Sequence, residues 1–147
     1  MTTDTATLKD LVEVLNDGKT FYEAAASGVE LPQFKQIFRQ MARTKAAMAD
    51  DFKSMIVVSG ESAPEGGSLG GSLRKAWAEI AAKLSSTPNA EYVGQLEDFE
   101  DRMVREFRSA VNTTDDAKVR ALAEKHLPDV LRDHDQMRAL KHAMNPR

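Results

Sequence analysis

The fold is decided by residues 90–112, AEYVGQLEDFEDRMVREFRSAVN. The apolar residues of this stretch recur at alternating steps of three and four residues. Glu100 occupies the position in the middle of this series. Such a pattern is typical of one face of an α-helix that packs against a core. A carboxylate at a core position is costly unless it is paired, protonated or bound to a metal. The stretch therefore predicts a core helix with a carboxylate that needs a partner. Its apolar members are Val93, Leu96, Met103, Phe107 and Ala110.

A second stretch, residues 31–59, has a lysine at the corresponding place. Its apolar face steps through Phe34, Phe38, Met41, Met48, Phe52 and Met55, and Lys45 occupies the middle step. A lysine stem can pack along apolar side chains while its ammonium reaches a charged partner. We therefore expect Lys45 and Glu100 to meet in a buried polar cluster, to which neighbouring side chains add hydrogen bonds. The predicted members are Glu100, Lys45, His134, Glu23 and Tyr22.

Helical periodicity and turn residues divide the chain into four long helices, and no segment alternates with the period of a strand. One long connection, rich in glycine at residues 61–71, separates the second helix from the third. A single long crossover is the connection found in ferritin-like bundles. The prediction is one all-α domain over residues 1–147, a ferritin-like four-helix bundle. The predicted long helices are 5–27, 31–59, 88–112 and 114–144, with a short fifth helix at about 72–85 in the crossover.

The last helix contains Pro128, which removes a backbone donor and clashes with the preceding turn. Either a kink near residues 124–127 or two abutting helices is expected. The apolar face assigned to this helix passes through Ala123, Leu127, Val130, His134 and Met137. His134 is thus expected in the core, whereas His126 and His142 are expected at the surface.

Composition excludes several classes of function. The 147 residues carry a net charge of −3, so no large basic surface for nucleic acid is expected. Cysteine is absent, which excludes disulfides, thiolate metal sites and cysteine nucleophiles. The longest strongly apolar run, residues 55–58, is too short to span a membrane, and the N-terminus has no signal-peptide pattern. These features predict a cytoplasmic protein.

Four segments resemble, in order and in spacing, the signature motifs of one family. They are Asp17-Gly18 with Phe21 and Ala24-Ala25; Gly71-Ser72-Leu73 with Trp77; Glu100-Asp101 with Phe107; and His134-Asp135 with Arg138-Ala139-Leu140. The family consists of small bacterial ferritin-like four-helix-bundle proteins classed as a domain of unknown function. The chain departs from the pattern at Thr20 and Phe99, where glycine is expected, and at Arg74, where histidine is expected. The resemblance implies the fold and a bacterial source, and it implies no activity.

The ligands of a ferritin-like dimetal site are incomplete in the sequence. Such a site takes a Glu from each of two helices and a Glu-x-x-His pair from each of the other two. No glutamate in this chain is followed by histidine three residues later, and Lys45 would place a positive charge at the site. We therefore expect no metal or other cofactor. The alternative is a weak single site for iron, manganese or zinc, with Glu23, Glu100 and His134 as the available ligands.

No serine or lysine shows a paired base, so the sequence assigns no catalytic residue. The first hypothesis is a non-enzymatic bundle that acts through protein contacts, with a homo-oligomer as the expected state. Its basis is an apparent excess of apolar residues near one end, namely Phe21, Tyr22, Phe34, Ile37 and Phe38. The second hypothesis is a degenerate ferritin-like metal-binding protein.

Overall fold

The computed structural model describes residues 3–66 and 88–144, which contain four α-helices and no strand. The all-helical prediction is confirmed for this part of the chain. The predicted short helix at about 72–85 lies outside the described residues. The helices are α1 (Thr5–Gly28), α2 (Pro32–Val58), α3 (Pro88–Thr113) and α4 (Ala117–Met144). Within the described residues, no helix is both long enough and apolar enough to cross a membrane.

Two capping carboxylates join the starts of α1 and α4. Asp4 accepts a hydrogen bond from the backbone N–H of Thr7 at 3.2 Å and one from the Thr114 hydroxyl at 2.6 Å. The backbone N–H of Asp4 in turn donates to Asp116, which also accepts from the N–H of Lys118. N-capping side chains satisfy donors that a helix start leaves free. Residues more than a hundred positions apart in sequence are therefore fastened by one set of caps.

The same hydrogen bonds lower the pKa of both capping carboxyls. For Asp4 the largest cause is the bond from the Thr114 side chain, followed by that from Thr7. For Asp116 it is the backbone N–H of Asp4. A carboxyl whose pKa is lower in the folded state stabilises the fold above its ordinary pKa, and this contribution is lost as the pH falls. The caps therefore make this end of the bundle sensitive to acid.

Helices that pack against each other, such as α1 with α2, α1 with α3 and α3 with α4, run in opposite directions. The caps place the start of α1, the end of α3 and the start of α4 at one end of the bundle, which we call the Thr5 end. The ion pair of Lys9 with Glu61, at 2.7 Å, places the end of α2 there as well. Gly28 at the end of α1 lies against Tyr92 near the start of α3, so α3 begins at the opposite end. The end of α2 and the start of α3 therefore lie at opposite ends of the bundle.

The described first part of the connection from α2 to α3 follows α1. After Glu61, the side-chain amide of Asn16 donates to the carbonyl oxygens of Pro64 and Gly66, at 3.3 and 3.1 Å. Asn16 lies near the middle of α1, so the chain has moved away from the Thr5 end by residue 66. Gly60, at φ 92°, makes the turn out of α2 in a conformation that favours glycine.

Aromatic side chains from three helices pack at the centre of the core. Phe21 of α1 meets Phe99 of α3 edge to face, with ring centroids 4.9 Å apart. Phe52 of α2 meets Phe107 of α3 in a similar way, at 5.9 Å. Edge-to-face pairs contribute beyond the apolar area they bury. These two ring pairs attach α3 to α1 and to α2.

The apolar surface inferred for self-association is mostly interior. Phe21, Tyr22 and Phe38 are at most 1% exposed, and Phe34 and Ile37 are half-buried against the core. The exposed apolar surface predicted from the sequence was too large, because the inward face of α1 and α2 is wider than a single stripe. The large apolar side chains that are exposed in the described residues are instead Leu31, Val57 and Val58.

The inward face of α4 differs from the one assigned from the sequence. The buried positions step regularly by four and three, and they include His126 and Asp133 instead of Leu127 and His134. Three of the five residues assigned to this face, Ala123, Val130 and Met137, are buried. Leucine was preferred to histidine because of its apolar side chain, and the observed face is therefore rotated by about 40° from the assigned one. Pro128 is exposed inside one continuous helix, so the alternative of two abutting helices is wrong. The buried set is Val119, Ala123, His126, Val130, Asp133 and Met137.

Two helical glycines differ in their surroundings. A Cβ atom added at Gly18 of α1 would lie 3.0 Å from Phe99, 3.2 Å from Met103 and 3.3 Å from Lys45. Gly18 therefore allows α3 and the Lys45 stem to come close to the backbone of α1. A Cβ at Gly94 of α3 would have no neighbour within 4 Å.

The two positions should respond in opposite ways to alanine. Gly94→Ala should raise the free energy of unfolding by about 1 kcal/mol, because alanine is the better helix former. Gly18→Ala gains the same propensity but overpacks the contact, at a cost of roughly 1–3 kcal/mol. The free energy of unfolding of Gly18→Ala should therefore be lower than that of Gly94→Ala by roughly 1–3 kcal/mol. Urea unfolding followed by circular dichroism measures both, and equal stabilisation by the two substitutions would show that α1 does not need glycine here.

Candidate functional site: a buried ion cluster at the centre of the bundle

Each helix contributes one polar side chain to the centre of the bundle. Tyr22 comes from α1, Lys45 from α2, Glu100 from α3 and Asp133 from α4; we call these four residues the central cluster. The side chains of Lys45 and Glu100 are 0% exposed, and that of Asp133 is 10% exposed. Tyr22 is also fully buried. The core thus encloses the cluster almost completely, and its exposed part belongs to Asp133.

The ammonium group of Lys45 lies between two carboxylates. Its Nζ is 2.9 Å from Glu100 Oε1, 3.2 Å from Glu100 Oε2 and 2.9 Å from Asp133 Oδ2. Of these contacts, those to Glu100 Oε2 and Asp133 Oδ2 are hydrogen bonds that the ammonium donates, and the contact to Glu100 Oε1 is an ion pair. A buried charge is tolerated when it is paired and hydrogen-bonded in this way.

Tyr22 completes the hydrogen bonding of Glu100. Its hydroxyl donates to Glu100 Oε1 at 2.6 Å. Burial and, after it, the negative charge of Glu100 raise the pKa of Tyr22 well above its ordinary value, so the phenol keeps its proton and remains a donor. Burial also raises the pKa of Glu100, although the charge of Lys45 and the bond from Tyr22 act in the opposite direction. Desolvation is therefore the largest influence on the central carboxylate.

The surroundings of Lys45 explain how its ammonium reaches the centre. Gly18 lies beside the Lys45 stem, where a Cβ atom would come within 3.3 Å of Lys45 Cγ. Met41 and Met48, about one turn to either side on α2, are 4% and 3% exposed. The stem is thus covered by apolar neighbours while the charged group is held by carboxylates.

The structure brings together three of the five residues expected in the polar cluster, and it places His134 elsewhere. The Nε2 atom of His134 contacts Asp101 at the seam between α3 and α4, and the ring is partly exposed. Burial disfavours its charged form, but hydrogen bonds to Asp101 and Asp135 outweigh that effect and raise its pKa. The inward position on this turn belongs to Asp133, because consecutive helical residues point about 100° apart.

Glu23 also lies outside the cluster. It is exposed on α1, where its carboxylate is 4.0 Å from the ammonium of Lys19. The preceding residue, Tyr22, occupies the inward position on this turn. Glu23 thus follows the inward-facing Tyr22 just as His134 follows the inward-facing Asp133, and in each pair the second side chain points about 100° away from the first.

Asp133 was not predicted from the sequence, although two partial signals for it are present. The regular spacing of Val119, Ala123, Val130 and Met137 allows either position 133 or position 134 on the inward face. In addition, Lys45 can bind more than one carboxylate. A second acidic partner on the last helix could have been sought on this ground, but the choice between positions 133 and 134 depends on the tertiary packing.

His126 of α4, which was expected at the surface, is 8% exposed. Its Nε2 lies 2.8 Å from Asp51 of α2, and its ring centroid is 5.6 Å from that of Phe52. This contact and the Lys45–Asp133 pair both connect α2 to α4. The seam between these two helices therefore contains two polar contacts.

The residues at the centre do not fit a metal ion. Among the described residues, no three side chains of histidine, aspartate or glutamate converge in a group that could hold one. Glu100 is engaged by Lys45 and Tyr22, whereas His134 binds Asp101 and Glu23 is on the surface. An ammonium 2.9 Å from both carboxylates occupies the place where a cation would bind them. The suggested single site on Glu23, Glu100 and His134 is therefore not assembled.

Removing the lysine charge should reveal how the cluster is balanced. Lys45→Met should lower the free energy of unfolding by roughly 3–5 kcal/mol, because it leaves buried carboxylates without a cation. The double variant Lys45→Met with Glu100→Gln should lose less of the free energy of unfolding than Lys45→Met alone. Adding Asp133→Asn should restore a further part of it. Chemical unfolding measures the series.

Lys53→Met provides the matched control two turns later on α2. Lys53 is half-buried, and its replacement should change stability by no more than about 0.5 kcal/mol. If Lys45→Met were as stable as the wild type, or if the double variant were no better than the single one, the charges would not be coupled as the distances indicate.

The family comparison covers three of the four helices. A family model described as "Domain of unknown function (DUF2383)" matches residues 4–113. The matched range contains Tyr22, Lys45 and Glu100 and ends before α4 and Asp133. No curated protein matches the chain. Because the family model covers well over half of the sequence, the chain belongs to this family, a domain of unknown function.

Proposed function

We propose that this protein is a ferritin-like four-helix bundle that is not an enzyme and that acts through protein contacts, first of all with copies of itself. The observation that carries the proposal is the position of the Lys45 ammonium between Glu100 and Asp133. A ferritin-like bundle that used a metal would need these carboxylates as ligands. Here they are held by a side chain, so the centre serves the fold.

Three features support the ferritin-like part of the proposal. Helices in contact run in opposite directions, the end of α2 and the start of α3 lie at opposite ends of the bundle, and each helix directs one polar group to the centre. A bundle with a single long crossover and inward-facing polar groups is the ferritin-like pattern. The family resemblance in the sequence points to the same fold and to a bacterial source.

The location of the surface grooves supports a non-enzymatic role. One groove lies between α1 and α3 and is lined by Thr7, Asp10 and Glu106, among others. A second lies at the Thr5 end and is lined by Asp4, Asp116 and their neighbours. Neither is lined by a member of the central cluster. The buried charged groups of the central cluster are thus separated from these grooves, whereas an enzyme places its reactive groups within a pocket.

The proposed contact surface is the end of α2. Val57 and Val58 are adjacent, and their exposed fractions are 62% and 87%. Adjacent exposed valines at a helix end are a small apolar patch that a second copy could cover. We also propose a cytoplasmic location, with which the cysteine-free composition is compatible.

Light scattering coupled to size exclusion tests the assembly. The wild type should be a dimer or larger at high protein concentration, and Val58→Lys should shift it toward the monomer because it places a charge in the apolar contact. Ala47→Lys adds the same charge at an exposed position three turns earlier on α2 and should leave the assembly intact. A wild-type protein that remains a monomer at high concentration would contradict self-association.

Metal content tests the role of the centre separately. Protein purified without chelator should contain far less than one iron, manganese or zinc ion per chain by elemental analysis. A chelator should leave the thermal midpoint unchanged, because the buried carboxylates already have a cation in Lys45. Near-stoichiometric metal that is lost in Glu100→Gln would overturn this assignment and favour the metal-binding alternative.

A further inference from the structure

We propose that Tyr22, Glu100 and Asp133 form a binding site for a primary ammonium ion, which the chain itself fills with the end of Lys45. The inference goes beyond the proposed function, since it concerns what the centre recognises and not what the protein surface contacts. The predicted ligand class is a small alkylammonium ion. It would bind when the lysine side chain is shortened and its place is left open.

The spacing of the oxygen atoms fits an ammonium ion. The Nζ atom lies 2.9 to 3.2 Å from three carboxylate oxygens, the length of charge-assisted and ordinary N–H···O hydrogen bonds. Metal–oxygen bonds are shorter, about 2.0–2.6 Å for magnesium and calcium. A site arranged at these distances is therefore matched to a nitrogen that donates hydrogen bonds.

The Glu100 carboxylate has a hydrogen bond that does not involve Lys45. Glu100 Oε1 accepts from the Tyr22 hydroxyl at 2.6 Å, and the raised pKa of Tyr22 keeps that donor protonated. Glu100 and Tyr22 are fully buried, and Asp133, taken as a whole residue with its backbone, is 7% exposed. The three groups come from α1, α3 and α4, whose own packing continues without the lysine side chain. The site should thus persist when Lys45 is truncated.

The alkyl chain of the ligand would occupy the space that the methylene groups of Lys45 fill in the wild type, and we call this space the channel. It runs past Gly18 of α1 and is bounded by Met103, whose Cε would lie 3.2 Å from a Cβ at Gly18. Lys45→Ala removes three methylene groups and the ammonium, which together have the shape of the n-propylammonium ion. That ion can replace both the apolar and the charged part of the missing side chain.

The experiment is chemical rescue of Lys45→Ala. Its thermal midpoint should be lower than that of the wild type by on the order of 10 °C, because two buried carboxylates lose their cation. n-Propylammonium chloride should raise the midpoint in a saturable way. At ten times its dissociation constant, the unfolding equilibrium constant should fall about 11-fold.

Four controls separate recognition of ammonium from other effects. Sodium chloride at equal concentration controls for screening, and n-propanol supplies the same apolar chain without the charge. Lys45→Met fills the channel and should show no rescue beyond that of salt. Asp133→Asn in the Lys45→Ala background removes one carboxylate and should weaken the rescue.

The outcomes are decisive in either direction. Saturable rescue by n-propylammonium that exceeds the effects of sodium chloride and of n-propanol would establish the site. Equal rescue by n-propanol, stronger rescue by manganese or zinc, or no rescue of the folded variant would overturn it. A failed rescue would leave the proposed self-association untouched, because light scattering on the wild type measures that separately.

If Lys45→Ala does not fold, the wild-type protein supplies the test. Nitrogen-15 NMR of the lysine side chains should show one Nζ that carries three slowly exchanging hydrogens, close to the Tyr22 hydroxyl. A neutral amine or a rapidly exchanging group at Lys45 would overturn the proposal.

Discussion

The pairing of one buried ammonium with two buried carboxylates is the constraint on which the rest of the structure depends. Lys45 holds Glu100 and Asp133 at hydrogen-bond distance, and Tyr22 holds Glu100 from the other side. Each of these groups would be costly in the core alone, since removal from water penalises every charge. Their mutual arrangement therefore requires all four helices to be present in one register.

Such a cluster contributes more to specificity than to stability. The attraction between buried charges is largely offset by their desolvation, so well-packed apolar residues could be equally stable. An apolar core, however, tolerates several rotations of a helix about its axis. A helix that carries Asp133 cannot rotate by one residue without losing the contact to Lys45, and the same holds for Tyr22 and Glu100. We infer that the cluster selects one rotation for each helix, as buried polar residues do in some coiled coils.

The ends of the bundle complement this central constraint. At the Thr5 end, Asp4, Thr114 and Asp116 join helix starts that are far apart in sequence. At the opposite end, Tyr92 lies directly against Gly28, where no larger residue would fit without displacement. The caps and this close contact set how far each helix extends along its neighbours, while the central cluster sets its rotation. Together they also direct the crossover along α1, where Asn16 binds the backbone at Pro64 and Gly66.

Periodicity alone was sufficient to predict an all-helical chain and to single out Lys45 and Glu100, because a charged residue on an otherwise apolar face is visible in the sequence. Tyr22 could be proposed for the same reason, since it lies among apolar neighbours on α1. The choice between adjacent residues could not be made in this way. Asp133 and His134, or Tyr22 and Glu23, differ by about 100° around a helix, and both members of each pair are polar or partly polar. Only the packing of α1 and α4 against the other helices decided which of them points inward, because that rotation is set by contacts between residues far apart in sequence.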